Sequence, residues 1–355
     1  MSEKLVQHGD IIVRELGALR RITLNRPQAF NALTLEMAVT MTDFLRAWAA
    51  DAAVGSVLID GAGDRGLCSG GDLRALYDAA KTKSPFPAQY WATEYQLDVL
   101  IARYPKPVIA IMDGLVMGGG VGISAHAAHR IVTERSAVAM PECAIGLFPD
   151  VGASFILARA PGLIGTHLAL TGTRMTAADA IYAGFADIHI AAARHGDLRS
   201  ALAEAHGAAG VRATLNAMST PPAPGLLATA RPWIDRCYAA NRIEEIVDLL
   251  KHDTAVDALA ALNAVGKGSP TSLKVTLRNL REAAGFARVE ECFRQDYRIV
   301  LACIAGHDFI EGIRATIVDK DRKPAWQPDR LEDVTPDIVD RHFRALGELE
   351  LNFDH

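Results

Sequence analysis

The sequence lacks the features that announce several large classes of protein. Its five cysteines, Cys68, Cys143, Cys237, Cys292 and Cys303, are odd in number and widely scattered. None forms a C-x-x-C pair, so neither a disulfide framework nor a zinc site is expected, and a reducing compartment is the simplest setting. No G-x-S-x-G occurs, which argues against an α/β-hydrolase serine triad. No H-E-x-x-H occurs either, so His126 and His129, three positions apart, read as packing or surface groups. Positive charge is not in excess: the formal net charge is −5 and the pI about 6.1, which gives no reason to expect nucleic acid as a partner. The longest apolar runs, such as KPVIAIM, are too short to span a bilayer, so no membrane partner is expected. The opening stretch MSEKLVQHGD is polar, without the apolar core of a secretory signal. A cytoplasmic location is expected, with an organelle matrix as the alternative if a transit peptide has been removed. There is no internal repeat and no low-complexity tract.

What remains is an ordinary globular composition, 50% hydrophobic and 22% charged over 355 residues. That length allows a large buried core, with room for one big domain and an extension. IIVRELGALRRITLN alternates apolar and polar residues around Gly17, which suits a hairpin. LTLEMAVTMTDFLRAWAAD follows with Leu35, Val39, Thr42, Leu45 and Trp48 at helical spacing. GSVLID is a short apolar strand of the kind buried in parallel sheets. The cycle repeats with a helix around TEYQLDVLIARY, a strand in KPVIAIMDG, a helix in GGGVGISAHAAH and a strand in RIVTER. Such alternation predicts an α/β layered domain. Beyond about residue 190, past a break at Pro221, Pro222, Pro224 and Gly225, helical patterns dominate, as in IEEIVDLLKHD and SLKVTLRNLREAAG. The expected division is a core over 1–200 and a mostly helical region over 201–355 packed on it.

Three segments carry chemistry. The first, GAGDRGLCSGGDLRAL (61–76), is rich in glycine and follows a strand. Gly61, Gly63 and Gly66 satisfy G-x-G-x-x-G, but the loop continues through Leu67 to Gly71 where a dinucleotide-binding helix should have begun. It reads better as a loop exposing backbone N–H groups before a helix. The second, DGLVMGGGVGISAHAAHR, places Gly118, Gly119 and Gly120 at a helix start, either for close approach of a ligand or for tight helix packing. Two such loops together suggest an oxyanion hole for a carbonyl that gains negative charge, and a thioester is a suitable occupant. In the third, AVAMPECAIGLFPDVGASFILAR, Glu142 and Asp150 stand in a turn-rich apolar run. Desolvation there would raise a carboxyl pKa toward the range useful for acid–base work. Asp150 could equally cap the helix GASFILAR.

At these segments the chain resembles the crotonase (enoyl-CoA hydratase/isomerase) superfamily. The resemblance begins at ITLNRPQAFNALTLEM and runs through CSGGD, KPVIAIMDGLVMGGGVG, MPECAIGLFPDVGAS and LALTGTRMTAADAIYAGFAD. SPTSLKVTLRNLREA and FRQDYRIVLACIAGHDFIEGIRATIVDKDRKPAWQP resemble a subgroup that hydrolyses acyl-CoA thioesters. The resemblance implies a crotonase-type layered α/β core of ββα repeats with a mostly helical C-terminal extension, 1–200 being the acyl-CoA-binding catalytic part. It implies an oxyanion hole from a backbone N–H of the CSGGD loop, at Ser69 or the residue beside it, and from that of Gly119, with Gly70 and Glu94 as further substrate-binding residues. The phosphates of coenzyme A should meet basic side chains, for which Arg26 is the candidate, with plain solvation as its alternative. Hydratases of the superfamily use two glutamates. The one in the P-E motif is present as Glu142, but the one after the glycine triplet falls at Gly122 and is absent. Asp150 replaces a usual glycine and matches the hydrolase subgroup.

Hydrolysis of a small, branched 3-hydroxyacyl-CoA is therefore the expected activity. Glu142 would act as nucleophile or general base, and Asp150 would orient water or the substrate hydroxyl and handle protons. Coenzyme A is part of the substrate, and no metal or other cofactor is called for. The resemblance also implies a homo-oligomer, a trimer or a pair of trimers, unless the helical extension changes it. The rivals are an enoyl-CoA hydratase or isomerase working with Glu142, a nicotinamide-dependent oxidoreductase using the Gly61–Gly66 loop, and a non-catalytic acyl-CoA binder.

Overall fold

The computed structural model describes residues 4–353; Met1–Glu3, part of the polar stretch read above as lacking a signal, lie outside the described residues. The chain folds as two compact units, each assembled from three separated stretches. One comprises Met1–Gly71, Thr93–Val138 and Met175–Gly225; the other comprises Asp72–Ala92, Ala139–Arg174 and Leu226–His355.

The first unit is built on a seven-stranded sheet. Its strands are β1 (Lys4–His8), β2 (Ile11–Leu16), β3 (Leu19–Leu24), β4 (Ser56–Gly61), β6 (Val108–Met112), β8 (His129–Val132) and β10 (Ile188–His189), hydrogen-bonded in that order. The expected hairpin is β2–β3, antiparallel with Leu16 opposite Leu19 and Gly17 at φ +53°, a turn conformation glycine adopts without strain. From β3 onward the pairing is parallel, and β4 has five buried residues in succession because it lies between β3 and β6. Leu19, Leu58, Ile109, Ile111 and Ile131 pack in one cluster with Leu198 and Leu202 of the helix His195–Glu204 and with Val211 and Leu215 of the helix Gly207–Met218. Full burial of each such side chain contributes about 1.5–3 kcal/mol.

A second sheet of three short strands, β5 (Gly66–Cys68), β7 (Leu115–Met117) and β9 (Ala137–Ala139), went unforeseen in the sequence. It disposes of the dinucleotide fingerprint, because Gly66 begins β5 instead of lying inside a helix. The helix α1 (Leu35–Ala49) forms as expected, capped by the Thr34 hydroxyl on the Met37 N–H, but its inward stripe is Met37, Ala38, Met41, Leu45 and Trp48. Val39, expected on that stripe, is 44% exposed. Both stripes share Leu45 and Trp48, and tertiary packing selects between them.

The second unit is helical apart from the last residue of β9. It contains α2 (Leu73–Lys81) and the first turns of α3 (Phe86–Ala102), whose C-terminal half belongs to the first unit. Beyond His189 every regular element among the described residues is helical, including the long amphipathic helices Pro270–Ala283 and Val289–Ala305. Among the described residues no helix is long and apolar enough to cross a membrane.

Candidate active site

In the first unit, β5 leads into the Ser69–Gly70–Gly71 loop, and β7 leads into α4 (Gly119–Ala125). Of the amides left as alternatives in the CSGGD loop, that of Ser69 donates to the Phe30 carbonyl at 3.1 Å. The next two amides are open. Among the described residues no backbone carbonyl takes the N–H of Gly70, of Gly71 or of Gly119. The two loops back onto each other, since a Cβ built on Gly70 would lie 3.9 Å from the Gly119 nitrogen, and one on Gly119 would lie 3.6 Å from that of Gly71. Gly70 has φ +111° and Gly118 φ +47°, backbone conformations that glycine adopts without strain. Backbone donors that converge on one point stabilise an oxygen that gains negative charge.

Two carboxylates of α3 stand behind them. Glu94 is 2% exposed and Asp98 is fully buried. A Cβ on Gly119 would come within 2.2 Å of Glu94 Oε1, so only glycine lets the amide and the carboxylate share this space. A Cβ on Gly122 would come within 2.4 Å of Asp98 Oδ2. The position where the resemblance places a hydratase's second glutamate is thus filled by another acid reaching in from α3. Asp98 was missed in the sequence, yet Glu94 and Asp98 are four apart and share a helix face. Cys68, beside them, is no nucleophile: burial first, and the two carboxylates next, push its thiol up to about 12.

In the second unit Glu142 opens a single helical turn (Glu142–Ile145) after Pro141 and is 4% exposed. Its Oε2 makes no hydrogen bond among the described residues. Burial, and secondarily the charge of Asp150, hold its carboxyl well above the usual range. Asp150, also 4% exposed, accepts a hydrogen bond from Trp91 Nε1 at 3.1 Å. It does not cap the following helix with its side chain. The N-cap of α5 (Ala153–Leu157) is Gly152, without a side-chain cap. The Gly152 N–H goes instead to Asp296 Oδ2 at 2.9 Å. Asp296 is fully buried, takes a second hydrogen bond from Asn279 Nδ2 (3.3 Å), and has its carboxyl raised by burial and by Asp150. Between the two aspartates, Val151 sits at φ +51°, a conformation that costs a β-branched residue of order 1–3 kcal/mol and persists only where surroundings enforce it. Trp91 and Asp296 were not foreseen. Asp296 had a signal, because it stands three residues after Phe293 and three before Ile299, on the apolar face of its helix.

Arg26, expected to face phosphates, donates through Nη1 to the Ala32 carbonyl (2.7 Å) and pairs through Nε with Asp10 (3.2 Å). It braces its own loop. Cys143 is pushed up to about 12 by burial, so its thiol stays neutral and adds no nucleophile at neutral pH.

With this geometry in hand, the comparisons are specific. Residues 19–343 match the family model described as enoyl-CoA hydratase/isomerase. The 3-hydroxyisobutyryl-CoA hydrolase, mitochondrial, of Gallus gallus is 40% identical over 96% of this chain and 90% of that protein. The Homo sapiens protein of the same name is 37% identical over 99% and 93%. A crystal structure of a carnitinyl-CoA dehydratase from Mycobacterium thermoresistibile superposes with TM-score 0.92 at 42% identity, covering 98% of this chain and 99% of that one. An enoyl-CoA hydratase from Rhodobacter sphaeroides 2.4.1 superposes with TM-score 0.90 at 41% identity, covering 97% and 100%.

Proposed function

The chain belongs to the enoyl-CoA hydratase/isomerase family, with its α/β crotonase fold of layered sheets and a helical C-terminal region, and we propose that it hydrolyses the thioester of a small, branched 3-hydroxyacyl-CoA. The substrate we infer is 3-hydroxyisobutyryl-CoA, yielding 3-hydroxyisobutyrate and coenzyme A, a step of valine breakdown. The observation that carries the choice of hydrolysis over hydration is at Gly122. Hydration of an enoyl-CoA in this superfamily draws on a second glutamate there; here the residue has no side chain, and Asp98 Oδ2 lies 2.4 Å from where its Cβ would be.

In the proposed reaction the thioester carbonyl oxygen takes the Gly119 N–H and an open N–H of the Gly70–Gly71 loop, which stabilise the negative charge that forms when the carbon is attacked. Glu142 drives the attack. As a nucleophile it forms a mixed anhydride while the C–S bond breaks and the thiolate of coenzyme A leaves, and water then opens the anhydride. As a general base it takes a proton from water, which attacks directly. Either route consumes one water and gives a carboxylate and a thiol. Asp150, steadied by Trp91, binds the substrate hydroxyl and handles the proton. A thioester is activated already, so no further cofactor enters.

A second reading, hydration or isomerisation with Glu142 acting alone, is favoured by the names of the two solved relatives. One pair of assays separates them. Thiol release from 3-hydroxyisobutyryl-CoA, followed with an aromatic disulfide, is expected to exceed hydration of crotonyl-CoA, followed by loss of enoyl absorbance. Faster hydration than hydrolysis would reverse the assignment.

A further inference from the structure

We propose that Gln295, Asn279 and Asp296 form a positioning chain for Asp150: they hold the turn that aims Asp150 at the substrate hydroxyl, and so set the preference for a hydroxylated acyl group. Their role rests on the proposal that Asp150 binds that hydroxyl. All four residues lie in the second unit.

The helices Pro270–Ala283 and Val289–Ala305 bury apolar faces, with Leu273, Leu277 and Leu280 on one and Phe293, Ile299 and Val300 on the other. Three polar side chains are buried with them: Asn279 is 1% exposed, Gln295 6%, and Asp296 is fully buried. Buried polar groups rigidify a fold only when they are satisfied together. These bond in order. Gln295 Nε2 donates to Asn279 Oδ1 at 2.8 Å, and Asn279 Nδ2 donates to Asp296 Oδ1 at 3.3 Å. Asp296 Oδ2 accepts the Gly152 N–H at 2.9 Å. The order has a direction, because an asparagine amide has one accepting end and one donating end. Gln295 claims the accepting end, so the donating end faces the carboxylate. Turned over, the Asn279 oxygen would face Asp296 and repel it. Asn279 thus fixes one oxygen of Asp296 and leaves the other for the turn.

What the chain grips is the backbone next to Asp150. Val151 and Gly152 have φ +51° and +69°, two left-handed residues in succession, the first of them β-branched. Such a turn persists only where its surroundings enforce it. Asp296 holds it at Gly152, and the Ala153 N–H closes it on the Asp150 carbonyl at 2.9 Å. Release of the Gly152 N–H would let Val151 relax and carry Asp150 with it. The residue after Asp296 reaches the donor side of Asp150. Tyr297 donates its hydroxyl to the Ala88 carbonyl at 3.4 Å, three residues before Trp91 in α3, and Trp91 Nε1 donates to Asp150 Oδ2 at 3.1 Å. Adjacent residues of one helix therefore tie down both the turn that carries Asp150 and the helix that carries its donor. Burial first, and the charge of Asp150 next, raise the Asp296 carboxyl, so the two acids stand close enough to feel each other.

Two arms test the chain, the second independent of the reaction. In the first, thiol release is measured for 3-hydroxyisobutyryl-CoA and for isobutyryl-CoA, which lacks the hydroxyl. The unmutated protein is expected to prefer the hydroxylated thioester in kcat/KM. Asn279→Ala is expected to lose at least about tenfold of that preference, as a polar site does when its groups are no longer held in place, with little change toward isobutyryl-CoA. Gln295→Met keeps the volume of the side chain and is expected to shift the preference the same way, which covers the case that Asn279→Ala folds poorly. Added to Asp150→Asn, Asn279→Ala is expected to cost no further preference, because it acts through Asp150. Leu277→Ala removes buried apolar contact from the same helix, and is expected to lower Tm and leave the preference unchanged. In the second arm the indole ¹H–¹⁵N signal of Trp91, identified by its loss in Trp91→Phe, reports where Asp150 stands. It is expected to move in Asn279→Ala and Gln295→Met and to stay in place in Leu277→Ala. A Trp91 signal that both chain variants leave unmoved, a preference that they leave intact, or an equal loss of preference in Leu277→Ala overturns the role. An unmutated protein without any preference for the hydroxyl overturns the reading of Asp150 instead, and the indole arm still decides whether the chain holds that residue.

Discussion

Asp150→Asn separates a catalytic carboxylate from a structural one, and the structure fixes what each role predicts. The side chain caps no helix, so nothing is lost at the start of α5, which Asp296 holds through the Gly152 N–H. Asparagine keeps an oxygen for Trp91 Nε1, but the 3.1 Å bond changes from a charge-assisted to a neutral one, a loss of about 1 kcal/mol. In a chain of this size that lowers Tm by roughly 2 °C or less. A second effect opposes it. The Asp150 charge is the second cause, after burial, of the raised Glu142 pKa. Removing it lets Glu142 ionise at lower pH, which relieves the native state at neutral pH and not at pH 4, where Glu142 is protonated in any case. Activity behaves differently. Loss of an acid–base group lowers turnover by at least ~10²-fold, or about 2.7 kcal/mol of barrier. Because the ionised form of Glu142 is the reactive one, the acid limb of the residual kcat/KM profile moves to lower pH. The assay is thiol release from 3-hydroxyisobutyryl-CoA between pH 4 and pH 9, beside melting curves over the same range. Full activity with an unmoved acid limb would remove Asp150 from the catalytic set and leave Glu142 acting alone.

Glu142→Gln keeps the size of the side chain and loses basicity and nucleophilicity, so turnover is expected to fall at least ~10²-fold while a non-hydrolysable thioether analogue still binds by calorimetry; near-normal turnover sinks the assignment. Gly119→Ala puts a methyl 2.2 Å from Glu94 Oε1 and forces the α4 start to shift, with a stability cost of about 1–3 kcal/mol and a loss of ~10²–10³-fold in kcat as the amide leaves its place; an active, unaltered Gly119→Ala protein refutes the oxyanion role. The double variant Glu142→Gln, Asp296→Asn tests linkage. Both carboxyls are raised in the fold, so the native state binds more protons than the unfolded chain above about pH 4 and loses stability as pH climbs. Denaturant midpoints should therefore depend less on pH between 5 and 8 in the double variant than in the parent, and an unchanged slope contradicts the raised values.

The elements legible in the sequence were those whose pattern is complete within one segment. The Gly17 hairpin, α1, β4, β6 and β8 each carry their own periodicity, and each is found where it was read. The strands β5, β7 and β9 have three residues apiece, too few for an alternation to register, and they exist because tertiary pairing holds them. The site divides the same way. Glu142 and Asp150 could be named because carboxylates amid Met140, Leu147 and Phe148 stand out locally. The Ser69 amide could not be ruled out as a donor without knowing that Phe30, thirty-nine residues earlier, supplies a carbonyl to it. Trp91 and Asp296 reach Asp150 and its turn across 59 and 144 residues. No local rule connects such positions.

Burying acids is expensive for any fold, and the way four buried acids of the second unit are satisfied distinguishes support from chemistry. Asp308 accepts from the Ser269 hydroxyl at 2.6 Å and the Gln327 N–H at 2.8 Å, so the protein itself offsets its burial. Asp296 has the Gly152 N–H and Asn279, and its work is to hold the strained turn at Val151. Asp150 keeps Trp91, which fixes its direction. Glu142 alone of these four has an oxygen that is buried and without a hydrogen bond among the described residues. A fold selected only for stability would place an apolar residue of similar volume there. On the proposed mechanism its missing partner arrives from outside the fold, as the electrophilic carbon or the proton-donating water of the reaction, and that is the physical reason for proposing the chemistry on Glu142.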